Sequence, residues 1–108
     1  MSLDNIIKET IEDQLGFQVQ LSPTRYGFKI EKTNEFDITL WLNKHQLVIG
    51  VLNSYKPGNG RKIVESLKLA TNNKYTIVAN KTESIGFWEK MGFYESYNNY
   101  PDYEYSLR

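Results

Sequence analysis

The stretch "SYKPGNGRKIVESLK", residues 54–68, decides how the rest of the chain is read. A proline and two glycines open the backbone, the basic pair Arg61-Lys62 follows, and Ile63, Val64, Leu67 and Ala70 then recur at helical spacing. Just before it, "QLVIGVLN" (46–53) is apolar without clean alternation, which predicts a central strand covered on both faces. A strand that passes through glycines into a helix leaves the helix's first N–H groups pointing at the turn. Those donors and the helix dipole favour an anion, most often a phosphate. The residues therefore read as a pyrophosphate cradle around Gly58 and Gly60, with Lys56, Arg61 and Lys62 adding positive charge. The plainer alternative is a glycine turn that caps a helix and binds nothing.

Three phosphate-binding loops do not fit. The Walker loop needs four residues between its glycines and then Gly-Lys-Ser/Thr. The dinucleotide fingerprint and the kinase loop both need a third glycine where this chain has Ile63.

On either side of the loop the pattern changes in kind. Leu3, Ile6, Ile7, Ile11 and Leu15 form an apolar stripe with Asp4 in its first turn and Gly16 past its end, a short amphipathic helix. Strands are predicted at "FQVQL" (17–21), "YGFKIEKT" (26–33), "FDITLWLN" (36–43) and 46–53, with breaks short enough for an antiparallel meander. Gly50 inside the last of these marks a bulge or a close backbone approach. After the loop, "KYTIVA" (74–79) is a fifth strand reached by a helical crossover, so it has a parallel neighbour. Thr82 is placed to cap a helix through Ile85, Trp88 and Met91 that stops at Gly92. "FYESY" (93–97) and "YEYSL" (103–107) are two last strands joined by a turn. The expected architecture is one α+β domain over residues 1–108. Its sheet is mixed but mostly antiparallel, with six to seven strands and about three helices.

Composition narrows the chemistry. Thirteen Lys and Arg balance thirteen Asp and Glu, so no overall field attracts nucleic acid or an anionic membrane. No apolar run approaches the roughly 20 residues of a membrane helix. With no cysteine and one histidine, thiolate catalysis, disulfides and histidine-rich metal sites are excluded, and the chain suits a reducing cytoplasm. His45 titrates in the useful range as a general base, although a lone turn histidine is more commonly just solvated. Glu35 and Asp37 are carboxylates on or before the third strand.

Two motifs together carry a resemblance. Tyr55-Lys56-Pro57-Gly58-Asn59-Gly60 has the frame Gln/Arg-x-x-Gly-x-Gly/Ala between a strand and a helix. "KTESIGFWEKMGF" (81–93) has the frame Asn-x-x-Ala-x-x-Phe-Tyr-x-x-x-Gly-Phe, with Phe87, Trp88, Gly92 and Phe93 in register. In this the chain resembles the GNAT-type acyl-CoA N-acyltransferase superfamily over residues 46 to about 98. The resemblance implies a sheet splayed between its fourth and fifth strands, with the pantetheine arm of acetyl-CoA in the gap. Ile49, Gly50 and Val51 would face the arm and thioester. The CoA pyrophosphate would sit on the backbone amides of Gly58, Asn59, Gly60 and Arg61, and Tyr55, mainly through its backbone, Lys56 and Phe87 would also contact the cofactor.

It further implies direct attack of a small-molecule or peptide amine on the acetyl carbon, with a strand N–H stabilising the oxyanion. The chain departs from the family pattern at Tyr55, at Pro57, which lacks an N–H, and at Lys81. Its N-terminal part is also abbreviated. Trp88 stands where the family has a tyrosine general acid, and indole gives up no proton at working pH. Tyr94 and Tyr97 are the candidate substitutes. A catalytically weak or inactive acyl-CoA-binding sensor is the alternative to an enzyme. The C-terminal "FYESYNNYPDYEYSLR" reads as half-buried strands or as an aromatic, acidic wall for a cationic amine, and an exposed last strand would permit a homodimer.

Overall fold

Period-two alternation governs the chain between residues 20 and 54. A computed structural model describes residues 2–72, 74–80, 84–96 and 102–106. In it β1 (Gln20–Pro23), β2 (Phe28–Lys32), β3 (Phe36–Asn43) and β4 (Gln46–Ser54) form an antiparallel meander. Phe36, Ile38 and Leu40 of β3 are buried, while Asp37, Thr39 and Trp41 between them turn to the other face. The pairing carries that division sideways, aligning Phe28 with Leu40 and Ile49, and Ile30 with Ile38 and Leu52.

The remaining elements complete an α+β fold. They are α1 (Leu3–Leu15), α2 (Asn59–Thr71), β5 (Thr76–Ala79), α3 (Ile85–Lys90), β6 (Tyr94–Glu95) and β7 (Tyr103–Tyr105). The seven strands lie in the order β1-β2-β3-β4-β5-β7-β6, with β4 and β5 parallel and every other pair antiparallel. Ile7 and Ile11 of α1 meet Ile63, Val64 and Leu67 of α2 in one core with the inward row of the sheet, and Trp88, Met91 and Phe93 join the same core. All three helices therefore pack on one face. Each fully buried aliphatic side chain there contributes about 1.5–3 kcal/mol. No helix among the described residues is long and apolar enough to cross a membrane.

Lys68 ties the second half together. Its ammonium donates to the Met91 carbonyl at the end of α3 and lies 4.2 Å from the centre of the Tyr105 ring on β7. Lys68→Met keeps the apolar stem but loses both contacts, and urea unfolding should show a loss of about 1–3 kcal/mol. A loss below a few tenths would mean the ammonium is merely solvated.

Four expectations need correction. The first strand starts at Gln20 rather than residue 17, because the Glu12 side chain accepts the Val19 N–H at 3.0 Å and holds this segment against α1. Burial of β4 on both faces holds only at Leu47, Val48 and Ile49, and beyond them Val51 is half exposed. The last strand, β7, lies between β5 and β6 and not at an edge; among the described residues the sheet edges are β1 and β6. Finally, α3 begins at Ile85 with Ser84 before it, while Thr82, Tyr97, Leu107 and most of the turn before β7 lie outside the described residues.

Candidate functional site

The site originates in one extra residue. Leu40 pairs with Ile49 but Thr39 pairs with Val51, so Gly50 is a bulge in β4. A Cβ there would lie 2.5 Å from the Trp41 ring and 3.1 Å from the Thr39 hydroxyl, so a side chain at this position would have to displace the indole. Beyond the bulge, β4 and β5 part. β5 pairs only with residues 46–49 of β4, the Asn80 N–H closes the ladder on the Ile49 carbonyl at 2.9 Å, and among the described residues no strand lies beside Gly50–Ser54 on that side.

The bulge also reverses which backbone groups face the gap. Tyr55 donates its N–H to the Glu35 carbonyl on the β3 side at 2.9 Å. Alternation back along the strand turns the backbone groups of Leu52 and Ser54 toward the gap, where no strand among the described residues meets them. The result is a cleft of about 630 Å³, walled by residues 49–54 of β4 and the following Tyr55, by Ala79 and Asn80 where β5 ends, and by Ser84, Phe87 and Trp88. That size suits a small-molecule ligand.

At the far end of this wall the chain turns into α2. Gly58 has φ of 85° and precedes the helix, a conformation that favours glycine. Lys62 donates back to the Gly58 carbonyl at 3.2 Å, but the N–H groups of Gly60 and Arg61 have no carbonyl partner among the described residues. Gly60 is itself buried in the cleft wall, where a Cβ would touch Phe87 at 3.5 Å and Ser54 at 3.6 Å. Lys56, Arg61 and Lys62 are exposed around the turn.

The structure thus brings together Ile49, Gly50, Val51, Tyr55, Gly60 and Phe87 in one cleft, with Lys56, Gly58 and Arg61 at its end. Several other residues fall elsewhere. Asn59 is buried, its amide donates to the Glu35 carboxylate at 2.9 Å, and its N–H goes to the Lys56 carbonyl, so it fastens α2 and offers nothing to an anion. The Val51 N–H is taken by the Thr39 hydroxyl at 3.1 Å and is not open to an oxyanion. His45 lies in the exposed turn at the opposite end of β4, roughly 16 Å of strand from Gly50. Tyr94 is on β6, two strands beyond β5, and its hydroxyl meets that of Ser106 at 2.7 Å. Trp88 lines the cleft yet is only 4% exposed and packs against Phe87 and Phe93.

One cluster at the rim joins residues that sequence reasoning kept apart. The Tyr55 hydroxyl donates to Asp37 Oδ2 at 2.5 Å, and the Asn53 amide donates to Asp37 Oδ1 at 3.0 Å. The hydrogen bond to Asp37 holds the phenol above its ordinary value of 10.0, with loss of solvent and the negative charges of Asp37 and Glu31 acting in the same direction. Tyr55 therefore stays protonated at neutral pH. The bond is in place at neutral pH and is lost as pH rises through the elevated value.

No family model matches this chain, and no curated protein matches it.

Proposed function

We propose that this chain binds acetyl-CoA in the β4–β5 cleft and transfers the acetyl group to an amine in the cytoplasm. The observation that carries the proposal is the pairing of two features on one wall: a strand edge left unbonded beyond Gly50, and an amide-lined glycine turn with three cations at its end. An extended amide-containing arm ending in a pyrophosphate matches both. The arm would bond to the backbone of Leu52 and Ser54 as a strand does, and the phosphates would sit on the N–H groups of Gly60 and Arg61. In the transfer, the amine nitrogen attacks the acetyl carbon, the C–N bond forms and the C–S bond breaks with its electrons passing to sulfur. The amine's proton leaves to water, and sulfur departs as thiolate. An alkyl thiol of pKa near 8.5 is a tolerable leaving group near neutrality.

A second reading, an acyl-CoA-binding module with weak catalysis or none, is favoured by a specific observation. Among the described residues lining the cleft there is no carboxylate and no imidazole, and Trp88 occupies the general-acid position of the family it resembles.

Isothermal titration with acetyl-CoA and CoA tests the site. Wild type should bind in the micromolar range and Gly58→Glu should lose at least tenfold, since a carboxylate at the turn repels phosphate. Gly58→Ala is the control for backbone strain, worth about 1 kcal/mol of stability, and should keep most of the affinity. Free thiol released with a panel of primary amines then separates the enzyme from the binding module. Absence of binding by wild type would end both readings.

A further inference from the structure

We infer that Tyr55 is a stacking platform for the purine end of the CoA nucleotide, held in place by Asp37. The inference rests on the acyl-CoA reading of the cleft and names the part of the ligand that its rim recognises. Tyr55 is 56% exposed, yet it is not a loose surface side chain. Its N–H is bonded to Glu35, its hydroxyl to Asp37, and Asp37 is braced in turn by Asn53. An exposed aromatic ring ordinarily loses rotamer freedom when a ligand fixes it. Here the fold has already fixed it, so more of the contact appears as affinity.

The position agrees with that role. Tyr55 lines the same cleft as Gly60 and immediately precedes the turn that carries Lys56 and Arg61. A nucleotide whose diphosphate occupied the turn would have its base within a few bonds of this rim. The hydroxyl proton is directed at Asp37 on the β3 side and not into the cleft, so what Tyr55 offers a ligand there is its ring face. Every base has such a face to stack on, and one aromatic partner is worth roughly 5- to 150-fold in affinity. Asp37 acts through Tyr55 and is a positioning residue.

The test is titration of the whole chain with three probes: CoA, 4′-phosphopantetheine, and adenosine 3′,5′-bisphosphate. Tyr55→Ala should weaken CoA and the adenosine bisphosphate by roughly 5- to 150-fold and leave 4′-phosphopantetheine unchanged. Tyr55→Phe keeps the ring and loses the tether, so its loss should be smaller. Asp37→Ala should match Tyr55→Phe, and adding Asp37→Ala to Tyr55→Phe should change binding no further, which a merely structural role for Asp37 would not produce. Thermal melts confirm that each variant is folded. If wild type binds CoA and Tyr55→Ala binds it equally well, or loses both halves of the ligand alike, the platform is wrong and the cleft assignment stands. If folded wild type binds none of the three probes, the acyl-CoA reading falls and the platform with it.

Discussion

Gly27→Ala should destabilise the protein by about 3 kcal/mol, the upper end of what overpacking costs. A Cβ at this position would lie 2.0 Å from the Leu40 carbonyl oxygen and 2.8 Å from Trp41 Cα and Cβ. The obstacle is mainly backbone, and backbone that cannot retreat. Leu40 is fully buried, pairs with Phe28 on one side and Ile49 on the other, and is followed by the residue whose ring covers Gly50. Gly27 cannot easily move away either, since its carbonyl accepts from the Thr24 N–H and its own N–H donates to the Thr24 hydroxyl, each at 3.0 Å. Against a typical total of about 5–15 kcal/mol, the loss should lower the urea midpoint visibly. Thr24→Ala, which removes one hydrogen bond and adds no clash, should cost only about 1 kcal/mol. Equal midpoints for the two variants would show that β2 moves aside and that the close approach is not a constraint.

The same corner shows what one-dimensional pattern conveys and where it stops. The alternation in residues 36–43 places β3 without error, because three apolar residues facing α1 and α2 leave no other register. Gly50 is legible as a bulge, since a glycine in an apolar strand has few other uses. The consequence of that bulge is harder to see. Counting back from the Lys44-His45 turn, 43 pairs with 46, so 37 should pair with 52; the one added residue makes it 53. Only with that shift do Asn53 and Tyr55 come onto the side of Asp37, and the pair that orders the rim is separated by 18 positions. The break in the glycine count therefore held the signal, although periodicity alone does not weigh it.

Asn59 is the opposite case. It lies between two glycines and resembles a loop residue, but the helix begins there, and a buried N-terminal side chain needs a partner, which Glu35 supplies. Val19 departs from the strand pattern for a similar reason: a side chain of α1, not a strand, holds its N–H. Local pattern reports which face a residue prefers, and these two positions are decided by long-range polar partners.

Trp88 joins the core to the cleft, so its substitution has two separable consequences. Trp88→Ala should cost about 3–5 kcal/mol, the range for removing a buried large aromatic. The ring is 4% exposed, meets Phe87 edge-on at 5.1 Å and Phe93 at 4.9 Å, and is part of what secures the six-residue α3, too short to be stable alone. Trp88→Tyr keeps an aromatic in the same space and should cost less, about 1–2 kcal/mol from the volume lost. Its effect on the proposed transfer should run the other way. A phenol at this position supplies the acid that indole cannot, and general acid help is worth roughly 10²-fold or more where proton delivery to the thiolate limits the rate. The two readouts are the urea midpoint and the rate of thiol release from acetyl-CoA with an amine that wild type accepts. A faster, less stable Trp88→Tyr would show that packing was favoured over proton transfer at this residue. An unchanged rate in a folded Trp88→Tyr that binds CoA as wild type does would mean that thiolate departs here without assistance, and that the position is structural alone.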